Sequence, residues 1–214
     1  GISPLLDQVF TEAMVTNGQF FLNGADTRTR GTDIVATWQP KILLGNIDFT
    51  LAANFTDTKV TKLFTPNHST LHTVAVKDIF SRQDISIIEE WQPSNKISLN
   101  TLYKNKNWTV NILLNHYGKY TITDGGKQTY GAELLTDFSV NYMFSNNLSI
   151  TMGSHNVFDV MPDENTIGNS RGGIIEDEQG NLIVESNGVF KYSRRSAPFG
   201  FNGAYFYANL QYSF

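Results

Sequence analysis

The sequence predicts an all-β chain: an antiparallel up-and-down transmembrane β-barrel segment, about seven strands of a larger barrel. Three observations predict it. Apolar and polar residues alternate in seven separate stretches, and successive strand side chains point to opposite faces, so each stretch has one apolar and one polar face. Charged residues make up only 17% of the chain and aromatic residues 13%, where an ordinary soluble domain carries about 25% charge. The connections between stretches run short, long, short, medium, short, very long. Tight turns on one side of a membrane and long loops on the other produce that order.

Bulk properties remove other classes. The chain has 214 residues and a mean hydropathy of −0.25. No run of about 18 uninterrupted apolar residues occurs, which excludes a spanning helix but not a barrel, where only alternate residues face lipid. The net charge of −4 offers no basic footprint, so no nucleic-acid partner is expected. With no cysteine there is neither a disulfide framework nor a thiolate metal site. No secretory n-region or h-region fits Gly1-Ile2-Ser3-Pro4, so either the protein is cytosolic or its N-terminus has been removed or lies outside this chain, and the rest of the sequence favours the last.

The first strand is expected within 27–39, where Ile34, Ala36 and Trp38 oppose Asp33, Thr37 and Gln39, with Val35 as the exception. A Pro-Lys turn follows at 40–41. In 45–56, Ile47, Phe49, Leu51, Ala53 and Phe55 form one face against Asn46, Asp48, Thr50, Ala52, Asn54 and Thr56. Residues 57–94 are long, polar and mixed. Within them Ser81-Arg82-Gln83-Asp84 resembles a capping box and predicts a short helix near 82–91, ended by Pro93.

Alternation resumes at 96–103 through Ile97, Leu99, Thr101 and Tyr103, and after a short KNKN turn at 108–116 through Trp108, Val110, Ile112, Leu114 and His116. Residues 121–131 read as a Gly-rich loop. The next strand, 132–144, carries Phe138, Val140, Tyr142 and Phe144 against Ser139, Asn141 and Met143. A tight turn at 145–146 leads to 147–157, with Leu148, Ile150 and Met152 opposite Ser149, Thr151, Gly153 and His155. A loop of over forty residues follows, with a hairpin expected in 173–186 around Gln179-Gly180-Asn181. The last strand puts Phe206, Ala208, Leu210, Tyr212 and Phe214 on one face and Tyr205, Tyr207, Asn209, Gln211 and Ser213 on the other.

Parity sets the orientation. The last residue falls on the short-turn side, expected to be periplasmic with the turns near 40, 105 and 145. Segments 57–94, 118–131 and 158–200 are then extracellular. Seven strands cannot close on themselves, and bacterial single-chain barrels use even numbers. The chain is therefore expected to be the C-terminal part of something larger. A second reading finds an eighth strand in 8–22, which would complete a small barrel.

Four segments resemble one family, the TonB-dependent outer-membrane receptors. TRTRGTDIVATWQP is similar to their T-x-G-x-(E/D) strand through Thr29, Gly31 and Asp33. DIFSRQDISIIEEWQPSNKISLNTLY resembles their acidic-ended segment before a proline and a strand, through Glu89, Pro93, Lys96, Leu99 and Tyr103. SHNVFDVMP resembles NNLFD-x-x-P through Asn156, Phe158, Asp159 and Pro162, departing at His155 and Val157. RRSAPFGFNGAYFYANLQYSF resembles their closing segment through Pro198, Gly200, Gly203, Tyr207, Leu210, Tyr212 and Phe214.

The resemblance implies a barrel of roughly 22 strands with a plugged lumen, in the cell outer membrane of a Gram-negative bacterium. It implies active import of a scarce small-molecule substrate: a ferric siderophore, haem, cobalamin or an oligosaccharide. The implied partners are the TonB system, contacted through a region N-terminal to this chain, and the barrel-assembly machinery, which would read Leu210, Tyr212 and Phe214 as an assembly signal. Outer-membrane lipid and lipopolysaccharide would surround the barrel. No enzyme activity and no cofactor are expected. A passive porin or small structural outer-membrane barrel, and a soluble β-sandwich binding module, remain as alternatives.

Candidate substrate contacts are His155, expected inside the lumen near the extracellular end, and Arg171, Arg194 and Arg195, since arginine suits anionic ligands. Against these stand a polar wall residue at His155, and lipopolysaccharide phosphates or neighbouring acids as partners of the arginines. His68 and His72 lie four apart, but without helical periodicity they read as a solvated loop. His116 and Tyr117 are expected in an aromatic belt at the membrane surface. Asp159, Asp163 and Glu164, and Glu176-Asp177-Glu178, match no Ca²⁺ loop spacing and read as a solvated face, so no metal site is expected. The glycine pairs 125–126 and 172–173 do not lead from a buried strand into a helix and are not phosphate loops.

Overall fold

The computed structural model describes residues 24–64, 80–123, 126–166, 191–193 and 195–214. Seven long strands form a meander in chain order: β1 (Ala25–Trp38), β3 (Gly45–Leu63), β4 (Asn95–Lys104), β5 (Trp108–Tyr117), β8 (Glu133–Ser145), β9 (Leu148–His155) and β10 (Tyr205–Tyr212). A two-residue piece, β2 (Lys41–Ile42), adds to β3 at the first turn. Every pairing is antiparallel. Among the described residues β1 and β10 each have one neighbour, so the sheet is open rather than a closed barrel.

The register keeps each sequence-predicted face intact across the sheet. Residues directly opposite one another share a face. One row runs Trp38, Phe49, Thr101, Ile112, Phe138, Ser154, Phe206. On the other face, five residues toward the loop end, a row contains Asp33, Asn54, Lys96, Tyr117 and Glu133. That polar face is internally bonded: Asn54 Nδ2 donates to Asp33 Oδ1 at 2.7 Å, Ser98 Oγ to Asn115 Oδ1 at 2.7 Å, and Asn141 Nδ2 to Thr151 Oγ1 at 2.8 Å.

Among the described residues the apolar face has no protein layer over it. Trp38, Leu51, Phe55, Trp108, Phe138, Met152, Phe206 and Leu210 are all exposed, Leu210 at 67%. A soluble sandwich buries such a face against a second sheet. Aromatic rings gather at the short-turn end, where Trp38 stacks on Phe49 at 5.3 Å, Trp108 meets Tyr142 at 4.5 Å and Tyr212 meets Phe214 edge-on at 5.0 Å.

The apolar band is inclined to the strands. Between the row-mates Phe49 and Phe206, the centre of the stripe shifts from Leu51, on the loop side of the row, to Leu210, on the turn side. That is about six residues at about 3.3 Å each over about five inter-strand steps of about 4.8 Å, an inclination of about 40°. Membrane barrels tilt their strands by about 35–45°.

Two expectations need correcting. The second strand was expected to stop at 56, yet β3 continues through Leu63, paired to β1 as far as Ala25. Beyond Phe55 both faces carry polar residues such as Asp57, Thr58, Lys59, Thr61 and Lys62, so no period-2 signal marks the extension. The second concerns 121–131. β6 (Tyr120–Thr123) and β7 (Lys127–Tyr130) form a two-stranded hairpin rather than a loop.

The hairpin exists because it closes a small core. Tyr120, Ile122 and Tyr130 pack with Trp91, and the two tyrosine rings stack at 4.9 Å. Helix α1 (Arg82–Glu89) supports this core. Ser81 caps it as the sequence suggests, with Asp84 N donating to Ser81 Oγ at 3.2 Å and Ser81 N to Asp84 Oδ2 at 2.8 Å. Trp91 Nε1 donates to Ser86 Oγ at 3.0 Å, and Ser196 Oγ to the Trp91 carbonyl at 2.6 Å. The cap leans on the sheet where Val60 N donates to Glu89 Oε1 at 2.8 Å.

Candidate functional site

At the loop end of β9 the strand gives way to a corner, Asn156–Pro162. Asn156 and Asp159 both adopt positive φ, +50° and +55°, a region that Asn and Asp tolerate better than most residues. Asn156 folds back on its own segment: its Nδ2 donates to the Val160 carbonyl at 2.8 Å, and Val160 N donates to its Oδ1 at 3.0 Å. Asp159 Oδ1 accepts from Ala204 N at 2.8 Å, one residue before β10. Gly203, at φ +73°, lies so close that a Cβ there would collide with that carboxylate. The motif thus ties the end of β9 to the start of β10.

This corner places His155 on the polar face beside Asp137 of β8. His155 Nδ1 is 3.4 Å from Asp137 Oδ2, close enough for an ion pair when the imidazole is protonated. Asp137 Oδ1 also accepts from Asn156 N at 2.8 Å. The imidazole lies against two aromatic rings of β10, Tyr207 at 5.6 Å and Tyr205 at 6.3 Å, which are themselves 6.3 Å apart.

A cavity of about 410 Å³ opens beside this group, within the usual range of about 300–1,000 Å³ for small-molecule sites. His155 and Tyr205 form one side; Tyr117 and Phe199, whose rings lie 5.3 Å apart, belong to the lining as well. Asn115, Asp137 and Asn202 supply polar groups. Among the described residues no lysine or arginine lines it. Lys96 Nζ sits over the Tyr117 ring instead, 4.8 Å from its centre.

Of the sequence-predicted contacts, His155 therefore lines a cavity on the polar face. Arg195 does not line it, and its backbone N–H donates to Ser193 Oγ at 3.1 Å. Arg171 and Arg194 lie outside the described residues, as do His68, His72, the 173–186 hairpin and Glu176-Asp177-Glu178. His116 stands on the apolar face between Ile97 and Leu134, its Nδ1 buried without a hydrogen-bond partner among the described residues. Leu210, Tyr212 and Phe214 are exposed at the turn end of the apolar face.

The acidic residues have structural partners. Asp163 Oδ2 accepts from Gly131 N at 2.6 Å, and Glu164 pairs with Lys191 at 3.1 Å. Among the described residues no group of three or more His, Asp or Glu is placed to hold a metal ion. Tyr117, expected with His116 in an aromatic belt, stands instead on the polar face, because it follows His116 by one residue, and lines the cavity. Sequence reasoning also missed Asp137, Phe199, Asn202 and Tyr205 as cavity residues. The only available signal was that Asp137, His155, Tyr117 and Tyr205 share the polar parity.

No protein-family model matches the chain, and no curated protein matches it. Among solved structures, the chain is similar to the structure of the FpvAI–pyocin S2 complex, with 17% identity and a TM-score of 0.45. It is also similar to the crystal structure of the ferripyoverdine receptor of the outer membrane of Pseudomonas aeruginosa bound to ferripyoverdine, with 18% identity and a TM-score of 0.44. Each match covers 64% of this chain and 16% of the other.

Proposed function

We propose that this chain forms part of the wall of an outer-membrane β-barrel in a Gram-negative bacterium, and that the barrel is an active importer of a small molecule driven through TonB. One observation carries the membrane reading: an apolar face across seven strands, uncovered among the described residues, edged with aromatic rings and inclined about 40° to the strands. Lipid is the solvent that such a face suits. The opposite face, bonded through Asn, Ser, Thr and Asp, suits a wet lumen.

The sheet would be a segment of a larger barrel. An open edge in lipid leaves unpaired backbone groups that cost several kcal/mol each, roughly, so β1 and β10 need further neighbours. Active import, rather than passive diffusion, is supported by the four motif resemblances in chain order, one of which builds the Asn156–Pro162 corner. Leu210, Tyr212 and Phe214 are proposed as the surface engaged during barrel assembly.

The test uses cells that make the full-length protein. Radiolabelled ferric siderophores, haem, cobalamin and oligosaccharides are offered in turn. Accumulation of one of them should stop when TonB is deleted, while surface binding persists. Uptake that continues without TonB would replace the importer with a passive porin. Recovery of the protein in the soluble fraction would sink the membrane reading altogether.

A further inference from the structure

We propose that the cavity beside His155 is a stacking site for a neutral, polyhydroxylated ring, that is, one sugar unit of an oligosaccharide. Three features of the cavity favour this ligand. It offers ring faces rather than a uniformly greasy wall: His155 and Tyr205 lie nearly parallel, 17° apart, and Tyr117 and Phe199 add two further rings. The C–H face of a sugar packs on such surfaces. Its polar groups are amides and one carboxylate, suited to donating to and accepting from hydroxyls. Asn115 spends its Oδ1 on Ser98, which leaves its NH₂ turned to other partners. Asn202 is exposed and lines the mouth.

The third feature is charge. Asp137 is the one fixed charge among the described lining residues, and Lys96 is engaged over the Tyr117 ring. An anionic chelate would meet that carboxylate at close range, a like-charge approach that costs affinity. The aromatic rings and amides, by contrast, need no charge from the ligand. The site rests on the barrel reading above only for its position in the lumen; it does not depend on TonB.

The experiment titrates the full-length purified protein in detergent with neutral hexaoses of glucose, xylose and mannose, and separately with an anionic ferric siderophore. At least one hexaose should bind. Tyr205→Ala should weaken that binding at least tenfold and Asn202→Ala several-fold, while Tyr205→Phe, which keeps the ring, should retain it. Asn209→Ala, on the same face but remote from the cavity, serves as the control. Folding of every variant is verified by heat-modifiable gel mobility. Absence of binding to all three hexaoses, binding unaffected by both alanine variants, or siderophore binding that depends on Tyr205 would each overturn the proposal. Loss of TonB-dependent uptake with sugar binding intact would instead reject the importer and leave this site standing.

Discussion

The ring of Tyr207 lies across Gly153, its register partner on β9. A Cβ built on Gly153 would come within 2.5 Å of the Tyr207 hydroxyl oxygen and 2.8 Å of the Phe138 carbonyl. Gly153 thus gives Tyr207 room to lie down beside His155, and the aromatic ring covers the bare glycine backbone.

Replacing Gly153 with valine should therefore lift Tyr207 off β9. Forced overpacking of this kind costs about 1–3 kcal/mol. The full-length protein should unfold at a lower temperature, followed by its heat-modifiable mobility. Adding Tyr207→Ala should recover part of the loss, because only the Phe138 carbonyl contact would remain. An unchanged midpoint in the single variant would show that β9 and β10 slide apart at no cost.

Charge on the two faces should have unequal effects. Leu51→Arg or Val140→Arg puts a cation on the apolar face, where the bilayer midplane penalises it by about 2–4 kcal/mol. On the polar face Asn54→Arg loses two hydrogen bonds and Asn141→Arg one, at about 1 kcal/mol each. The first pair should reduce folded protein in the outer membrane far more than the second. Equal defects in both pairs would contradict the assignment of lipid and lumen sides.

Ser81→Ala removes the side-chain half of the capping box. A lost N-cap costs about 1 kcal/mol, confined here to α1 and the core under Trp91. Amide exchange should quicken through Arg82–Glu89 while β4, β5 and β8 keep their protection. Uniform loss of protection would mean that the cap and the sheet unfold as one unit.

Tyr120 should make the cap sensitive to alkali. Its phenol is pushed well above the ordinary value, first by burial and then by Tyr130, Asp163 and Glu133 nearby. An unfolded tyrosine ionises near pH 10, roughly. The folded cap holds the proton, so its stability is full below that pH and falls as the pH climbs past it. Because the Tyr120 hydroxyl is buried without a partner among the described residues, Tyr120→Phe should leave the cap at least as stable at neutral pH and weaken the alkaline transition. Tyrosinate absorbance reads the outcome, and ionisation of Tyr120 without loss of cap structure would contradict it.

The seven long strands were legible because each pairs a lipid-suited face with a polar one, and that contrast survives in a single sequence. Helix α1 was legible because Ser81 and Asp84 satisfy each other's backbone across one turn. β6 and β7 were not legible. They are four residues each, and the apolar positions Tyr120, Ile122 and Tyr130 gain meaning only once Trp91 arrives from a distant segment. The cavity was half legible: parity located His155. Its pairing with Asp137 depends on register between neighbouring strands, and Phe199 and Asn202 come from a loop with no period to read. The arginines proposed from sequence as anion contacts were chosen by residue type alone, and Arg195 does not reach the lining.

The extension of β3 past Phe55 gives the described sheet an uneven loop-side edge. β1 and β3 climb together from the apolar band to Ala25 and Leu63, about 25 Å of extra strand at about 3.3 Å per residue, whereas β9 and β10 stop at His155 and Tyr205, level with it. The tall ribbon is propped from behind by α1 through Glu89. Among the described residues the loop-side edge of the sheet therefore stands high at β1 and β3 and low at β9 and β10, where the His155 imidazole and the Tyr205 phenol lie.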